Sequence, residues 1–152
     1  MSFYGLVDGS DASLKSYLNN LSGVDQVGAE ARAAMLATRS IKTSSKRWAI
    51  ETAITMVDLT TLEGADTPGK VKALCTKAVR PDPTDSTVPS VGAVCVYNDM
   101  VSVARTHLDL IGGQHVPVAA VSTAFPSGRA SMPVKIQDTQ DAIDAGAAEI
   151  DM

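Results

Sequence analysis

Four short apolar runs in this sequence each finish on residues able to do chemistry. The first ends on Asp58, Thr60 and Thr61, and the second on Cys95 and Tyr97. The third ends on Ser122 and Thr123 ahead of Phe125-Pro126, and the fourth on Asp151. Carboxylates accept and return protons, hydroxyls donate and accept hydrogen bonds, and a thiol becomes a nucleophile once ionised. Parallel α/β proteins build their sites at the C-terminal ends of strands, so polar groups converging there have the layout of a small-molecule site. Each residue also has a plainer role open to it. Asp58 could cap a turn before Leu59-Thr60-Thr61. Cys95 could be a small buried hydrophobe within Val94-Cys95-Val96. Asp151 could pair with neighbouring backbone, because a lone carboxylate in an apolar strand costs free energy. His107 and His115 fall on a helix and a loop and read as solvated surface residues.

The elements that must position these groups follow from periodicity. In the first 46 residues, Asp11 can cap a helix with Leu14, Tyr17, Leu18 and Leu21 at i, i+3, i+4, i+7 spacing, stopped by Gly23. A second helix spans about Gln26 to Arg39, and Ser40–Ser45 reads as a polar connector. Trp48, Ala49 and Ile50 close a short helix, and Ile54–Leu59 has the signal of a buried strand. Thr67 before Pro68 is an N-cap followed by a first-turn proline, and the helix it opens puts Val71, Leu74, Cys75 and Ala78 on one face. Pro81–Pro89 is a loop, and Val91–Tyr97 a second strand, apolar throughout as expected when both faces are covered. Asn98 or Asp99 can cap a helix with Val101, Ala104, Leu108 and Ile111 inward, stopped by Gly112-Gly113. Val116–Thr123 is a third strand. After the turn at Phe125–Gly128 comes a helix with Ile136, Gln140, Ile143 and Ala147 on one stripe, and Glu149–Met152 begins a fourth strand.

The order β-α-β-α-β-α-β predicts a parallel sheet with right-handed crossovers. Two architectures fit it: an open doubly wound sheet, or the first half of a (β/α)8 barrel, a fold of about 250 residues. Thr61-Leu62-Glu63-Gly64 after the first strand is not a G-x-G-x-x-G loop, so dinucleotide binding loses its main support. An end inside an apolar strand reads as incompleteness, since an unpaired strand is an aggregation hazard.

Composition narrows the function classes. The chain has 152 residues, 45% hydrophobic and 20% charged, which suits a folded globular protein rather than a disordered one. Net charge is −4 and no Lys/Arg cluster could neutralise a row of phosphates, which argues against nucleic acid. Cys75 and Cys95 lack C-x-x-C spacing, so neither a zinc site nor a redox pair is supported, and two isolated thiols fit a reducing compartment. Met1–Gly9 carries no secretory pattern, and no apolar run approaches the roughly 18 residues of a membrane span. A cytoplasmic protein without a membrane anchor is expected.

Five blocks then make the pattern specific. They are Val57-Asp58-Leu59-Thr60-Thr61-Leu62, Leu74-Cys75-Thr76-Lys77-Ala78, Ala93-Val94-Cys95-Val96-Tyr97, Val118-Ala119-Ala120-Val121 leading to Phe125-Pro126-Ser127-Gly128, and Ala142 through Asp151. In order and spacing, from about residue 50 to the end, they resemble the deoxyribose-phosphate aldolases. The resemblance implies a (β/α)8 barrel that cleaves 2-deoxy-D-ribose 5-phosphate to D-glyceraldehyde 3-phosphate and acetaldehyde, with no metal and no cofactor. It implies a Schiff-base lysine on the sixth strand, whose protonated imine serves as the electron sink for carbon–carbon cleavage. A second lysine would lower the first one's pKa and join a proton relay. By the same resemblance, Asp151 stands at the relay aspartate, Asp58, Thr60 and Leu62 line the substrate pocket, and Cys95 is a pocket thiol dispensable for turnover.

The family's lysine motifs, K-T-S-T-G-K and K-P-A-G-G, are absent, as are its phosphate-binding glycine and serine loops. Lys15, Lys42, Lys46, Lys70, Lys72, Lys77 and Lys135 all fall in predicted helices or connectors. The expectation is a helical extension over 1–46 and the N-terminal half of an aldolase barrel over 47–152, truncated in its fourth strand. The isolated chain would be inactive and would need a C-terminal half, from the same or a separate chain. A homo-oligomer acting on a small phosphorylated sugar is expected. The competing readings are a non-catalytic half-barrel that binds a ligand or partner, and another Schiff-base aldolase with similar first strands.

Overall fold

The structure, a computed structural model, describes residues 10–152. The first nine residues of the expected extension, with the Met1–Gly9 segment read for a secretory pattern, lie outside the described residues. The chain divides into two units, Met1–Ile41 and Lys42–Met152.

In the first unit, α1 spans Asp11–Asn19 and α2 spans Gln26–Ala37. The cap of α1 is Ser10 rather than Asp11: the Ser10 hydroxyl accepts from the Ser13 N–H, which leaves Asp11 in the first turn, where the helix dipole favours an acid. Asp25 caps α2 by accepting from the Gly28 N–H. Neither helix buries a side chain.

The second unit runs α3 (Thr43–Thr55), β1 (Asp58–Thr60), α4 (Pro68–Val79), β2 (Ala93–Tyr97), a 3-10 turn at Asn98–Met100, α5 (Val101–Leu110), β3 (Val118–Val121), α6 (Met132–Asp144) and β4 (Glu149–Asp151). Strands β2 and β3 are shorter than the Val91–Tyr97 and Val116–Thr123 read from the sequence, and two further boundaries differ more. The polar stretch read as a connector ends early, because Thr43-Ser44-Ser45 already forms the first turn of α3. The run Ile54–Leu59 is not one strand: α3 continues through Thr55, and only Asp58–Thr60 pairs. A short apolar run has no period of its own, so a helix end and a strand look alike in it.

All four strands are parallel and lie in the order β1-β2-β3-β4. The main core sits on one side of the sheet. Val94, Val96, Val118 and Ala120 from the strands meet Val71, Cys75 and Ala78 of α4, Val101, Ala104 and Leu108 of α5, and Ala142 of α6. These residues are buried, and Leu59 and Ile150 pack against them. The other side carries only a small cluster, Cys95, Ala119 and Val121, on which Leu62 and Phe125 pack. No helix residue belongs to that cluster. Sequential strand order with the helices on one face is the first half of a (β/α)8 barrel, whereas a doubly wound sheet reverses its order and carries helices on both faces.

The expected inward stripe of α6 is corrected. Ile136 and Ile143 are 63% and 50% exposed, and Gln140 is exposed as well. The helix meets the core through Ala142 instead, with Ala145 and Ala147 partly buried just beyond its end. A lone alanine permits close approach but carries a weaker hydrophobic signal than isoleucines at helical spacing. At the end of α5 the sequence reading holds: Gly112 takes φ +77°, and the Gly113 N–H donates to the Leu108 carbonyl.

Candidate active site

Side chains alternate across a strand, so a core-facing residue fixes where its neighbours point. Leu59 packs toward the helices, which turns Asp58 and Thr60 to the opposite face. Val94 and Val96 do the same for Cys95 and Tyr97, and Ile150 for Glu149 and Asp151. Register then sets the rows. Thr60 lies beside Cys95, Cys95 beside Ala119, and Ala119 beside Glu149. One step toward the C-terminal ends, Tyr97 lies beside Val121 and Val121 beside Asp151. Asp58, Thr60, Cys95 and Asp151 thus share the face that a closed barrel turns inward. Leu62, beyond the end of β1, packs on the same face.

Cys95 sits at the centre of this face, 5% exposed. Burial pushes its thiol above the ordinary range. A hydrogen bond with Thr60 acts the other way, and the carboxylates of Asp151, Asp58 and Glu149 add to the rise. Cys95 is a small buried group on the face that also carries the carboxylates of Asp58, Glu149 and Asp151. Asp58 does not hold the turn after β1. Asp66 does: its carboxylate accepts from the Thr61 hydroxyl at 2.9 Å and from the Glu63 N–H at 3.0 Å. Lys70 Nζ reaches Asp66 at 2.7 Å and Glu63 at 2.8 Å. The ammonium beside it holds the Asp66 carboxyl below its usual value, and Asp66 in turn holds Lys70 above its own. A lysine kept protonated is the opposite of the free amine that imine formation needs. The other six lysines lie in helices or, for Lys42, just before α3; none is in a strand.

The loop after β3 closes one side of the site. Thr123 and Ala124 both take left-handed φ, +64° and +61°, which costs roughly 1–2 kcal/mol per residue without glycine. Asp138 of α6 holds them there by accepting from the Thr123 N–H at 2.7 Å. Asn98, which the sequence suggested as a helix cap, caps nothing. Its side-chain amide donates to the Asp138 carboxylate and, at 2.7 Å, to the Asp138 carbonyl. A pocket of about 280 Å³ opens here between Tyr97, Asn98, Ser122, Phe125 and Asp138. At the fourth strand, the Asp151 backbone carbonyl accepts from the Ser122 N–H, and its carboxylate is exposed on the inner face.

Sequence reasoning missed Glu149 and Asp138. The alternation Glu149-Ile150-Asp151 carried the signal for Glu149, since residues two apart share a face. Nothing in spacing marks Asp138; only folding brings it to the ends of β2 and β3. His107 is half-buried and bonds Thr76, while His115 is exposed and bonds Ser90, so neither lies on this face. Among the described residues, no group of three or more His, Cys, Asp or Glu could hold a metal ion, and no helix is long and apolar enough to cross a membrane.

Deoxyribose-phosphate aldolase from Mus musculus is 36% identical over 124 residues, 76% of this chain and 39% of the relative. The Homo sapiens enzyme of the same name is 34% identical over 122 residues, 73% of this chain and 38% of its own length. The chain is a homologue of the deoxyribose-phosphate aldolases. It spans about two fifths of the length of the curated relatives it matches. No protein-family model matches it. Among solved structures, a Coccidioides immitis protein assigned as a deoxyribose-phosphate aldolase superposes with TM-score 0.57 at 28% identity, covering 68% of this chain and 36% of that one. The deoxyribose phosphate aldolase from Aeropyrum pernix, described as tetrameric, superposes with TM-score 0.54 at 22% identity, covering 66% and 38%. These neighbours support the partial-barrel fold.

Proposed function

We propose that this chain supplies the first four strands, with the helices between them, of a class I deoxyribose-phosphate aldolase, which cleaves 2-deoxy-D-ribose 5-phosphate to D-glyceraldehyde 3-phosphate and acetaldehyde. The helical extension expected over 1–46 precedes in sequence the barrel half expected over 47–152, with the boundary better drawn at Lys42, because α3 runs from Thr43 to Thr55 across the expected one. The observation that carries the reading is the one face of the sheet that Asp58, Thr60, Cys95 and Asp151 share, in a chain homologous to these aldolases. Asp151 relays protons at the mouth of the barrel. Asp58, Thr60 and Leu62 line the sugar site, and Cys95 is a neutral pocket thiol. The imine-forming lysine comes from strands outside these 152 residues. The open edges of β1 and β4 fit pairing with that second half, and the whole works as a cytoplasmic homo-oligomer without metal, cofactor or nucleic acid.

Borohydride trapping tests this. Incubated with 2-deoxyribose 5-phosphate and borohydride, the 152-residue chain alone should carry no adduct. Combined with the polypeptide that completes the barrel, an adduct should appear on a lysine of the added part. A reduced adduct on any of the seven lysines here would overturn the proposal.

A further inference from the structure

We infer that Asp138 is a positioning residue for the inner face: its carboxylate clamps the end of β2 to the loop after β3 and thereby seats Phe125 over the Cys95 cluster. Asp138 stands on α6 at the edge of the site rather than on the inner face of the sheet, and hydrogen-bonds neither Cys95 nor Phe125. It acts through two others. One oxygen accepts from the Thr123 N–H at 2.7 Å, and the other accepts from the Asn98 side-chain amide. Asn98 follows directly on Tyr97, the last residue of β2, and Thr123 stands two residues before Phe125. Thr123 and Ala124 are held in two consecutive left-handed conformations that non-glycine residues avoid. Such a turn persists only where its surroundings over-determine it, and the charged acceptor on the first of its N–H groups does that. The Ser122 hydroxyl, 3.5 Å from the Asn98 side-chain Oδ1, extends the contact to the end of β3. Phe125, together with Leu62, packs on the cluster of Cys95, Ala119 and Val121, within which Cys95 is 5% exposed.

The functional meaning of the clamp rests on the inner face being the site proposed above, but its geometry can be tested without turnover. The probe is N-ethylmaleimide, with labelling of Cys95 and Cys75 followed separately by peptide mass spectrometry in the native protein. Cys75 of α4 is fully buried against α5 and the sheet and reports global opening. Asp138→Ala should raise Cys95 labelling about tenfold or more, the scale of a lost hydrogen bond to a charged group, and leave Cys75 labelling unchanged. Asp138→Glu, which keeps the charge and both acceptor oxygens, should bring Cys95 labelling most of the way back. Unchanged Cys95 labelling in Asp138→Ala would overturn the inference. So would a parallel rise at both cysteines, which would mean general loosening rather than a local clamp.

Discussion

Asp151→Asn separates chemistry from stability most cleanly. The carboxylate is exposed on the inner face of β4, while the strand is anchored through its other face by Ile150 and through the bond from the Ser122 N–H to the Asp151 carbonyl. Asparagine preserves shape, backbone and both of those contacts. An exposed substitution of this kind stays within about 0.5 kcal/mol in stability. It cannot, however, accept and return a proton near neutral pH. Acid–base groups contribute about 10²–10⁴-fold, which is roughly 2.7–5.4 kcal/mol of barrier at 1.36 kcal/mol per decade. The assay is turnover of 2-deoxyribose 5-phosphate by the assembled enzyme, alongside urea denaturation of the same samples. A loss of kcat in that range, with KM little changed and the denaturation midpoint unmoved, is expected. Cys95→Ala should keep most activity, because a thiol held neutral carries no proton in the relay. Ile150→Ala should show the reverse pattern, a loss of about 1–3 kcal/mol in stability from its half-buried position. Near-normal kcat in Asp151→Asn, or a kcat loss matched by an equal loss of stability, would refute the relay assignment.

Leu108→Ala empties a fully buried position between α5 and the sheet, and chemical denaturation should register a loss of about 2–5 kcal/mol. Gly92→Ala should also destabilise, by about 1–3 kcal/mol, because the added methyl would lie 2.7 Å from the Thr55 carbonyl oxygen, a backbone atom that cannot step aside. Unchanged denaturation of that variant would mean that the junction of α3 and β2 yields more easily than its geometry suggests. For Cys95, alkylation rate against pH should inflect above the ordinary thiol value, and Asp58→Asn or Asp151→Asn should lower the inflection by removing a neighbouring negative charge. The sign for stability follows: the raised thiol pKa contributes stability below the ordinary value that is lost as pH rises through the folded-state value, so Cys95→Ala should flatten alkaline destabilisation.

Much of the fold was legible in the chain because it rests on local rules. Thr67-Pro68 opens α4 as an N-cap and first-turn proline must, Gly112 ends α5 with the positive φ that glycine tolerates, and the apolar runs at Val94–Val96 and Val118–Val121 form central strands. The order of strands and helices followed from the same periodicities, and so did the common face of Asp58, Thr60, Cys95 and Asp151, although Asp58 opens β1 and Cys95 lies in the middle of β2 rather than at a strand end. Three features did not. Sequential strand order and helices confined to one face decide barrel over doubly wound sheet, and they depend on which strand pairs with which, something no local pattern encodes. The contact of α6 with the core falls on Ala142 rather than on its isoleucines, and a single small residue leaves no periodic apolar signal. The link from Asp138 to Asn98 and Thr123 joins residues 40 and 15 positions apart. A carboxylate on a helix acquires partners of that kind only when the chain has closed α6 over the ends of two strands, and that closure belongs to the tertiary structure alone.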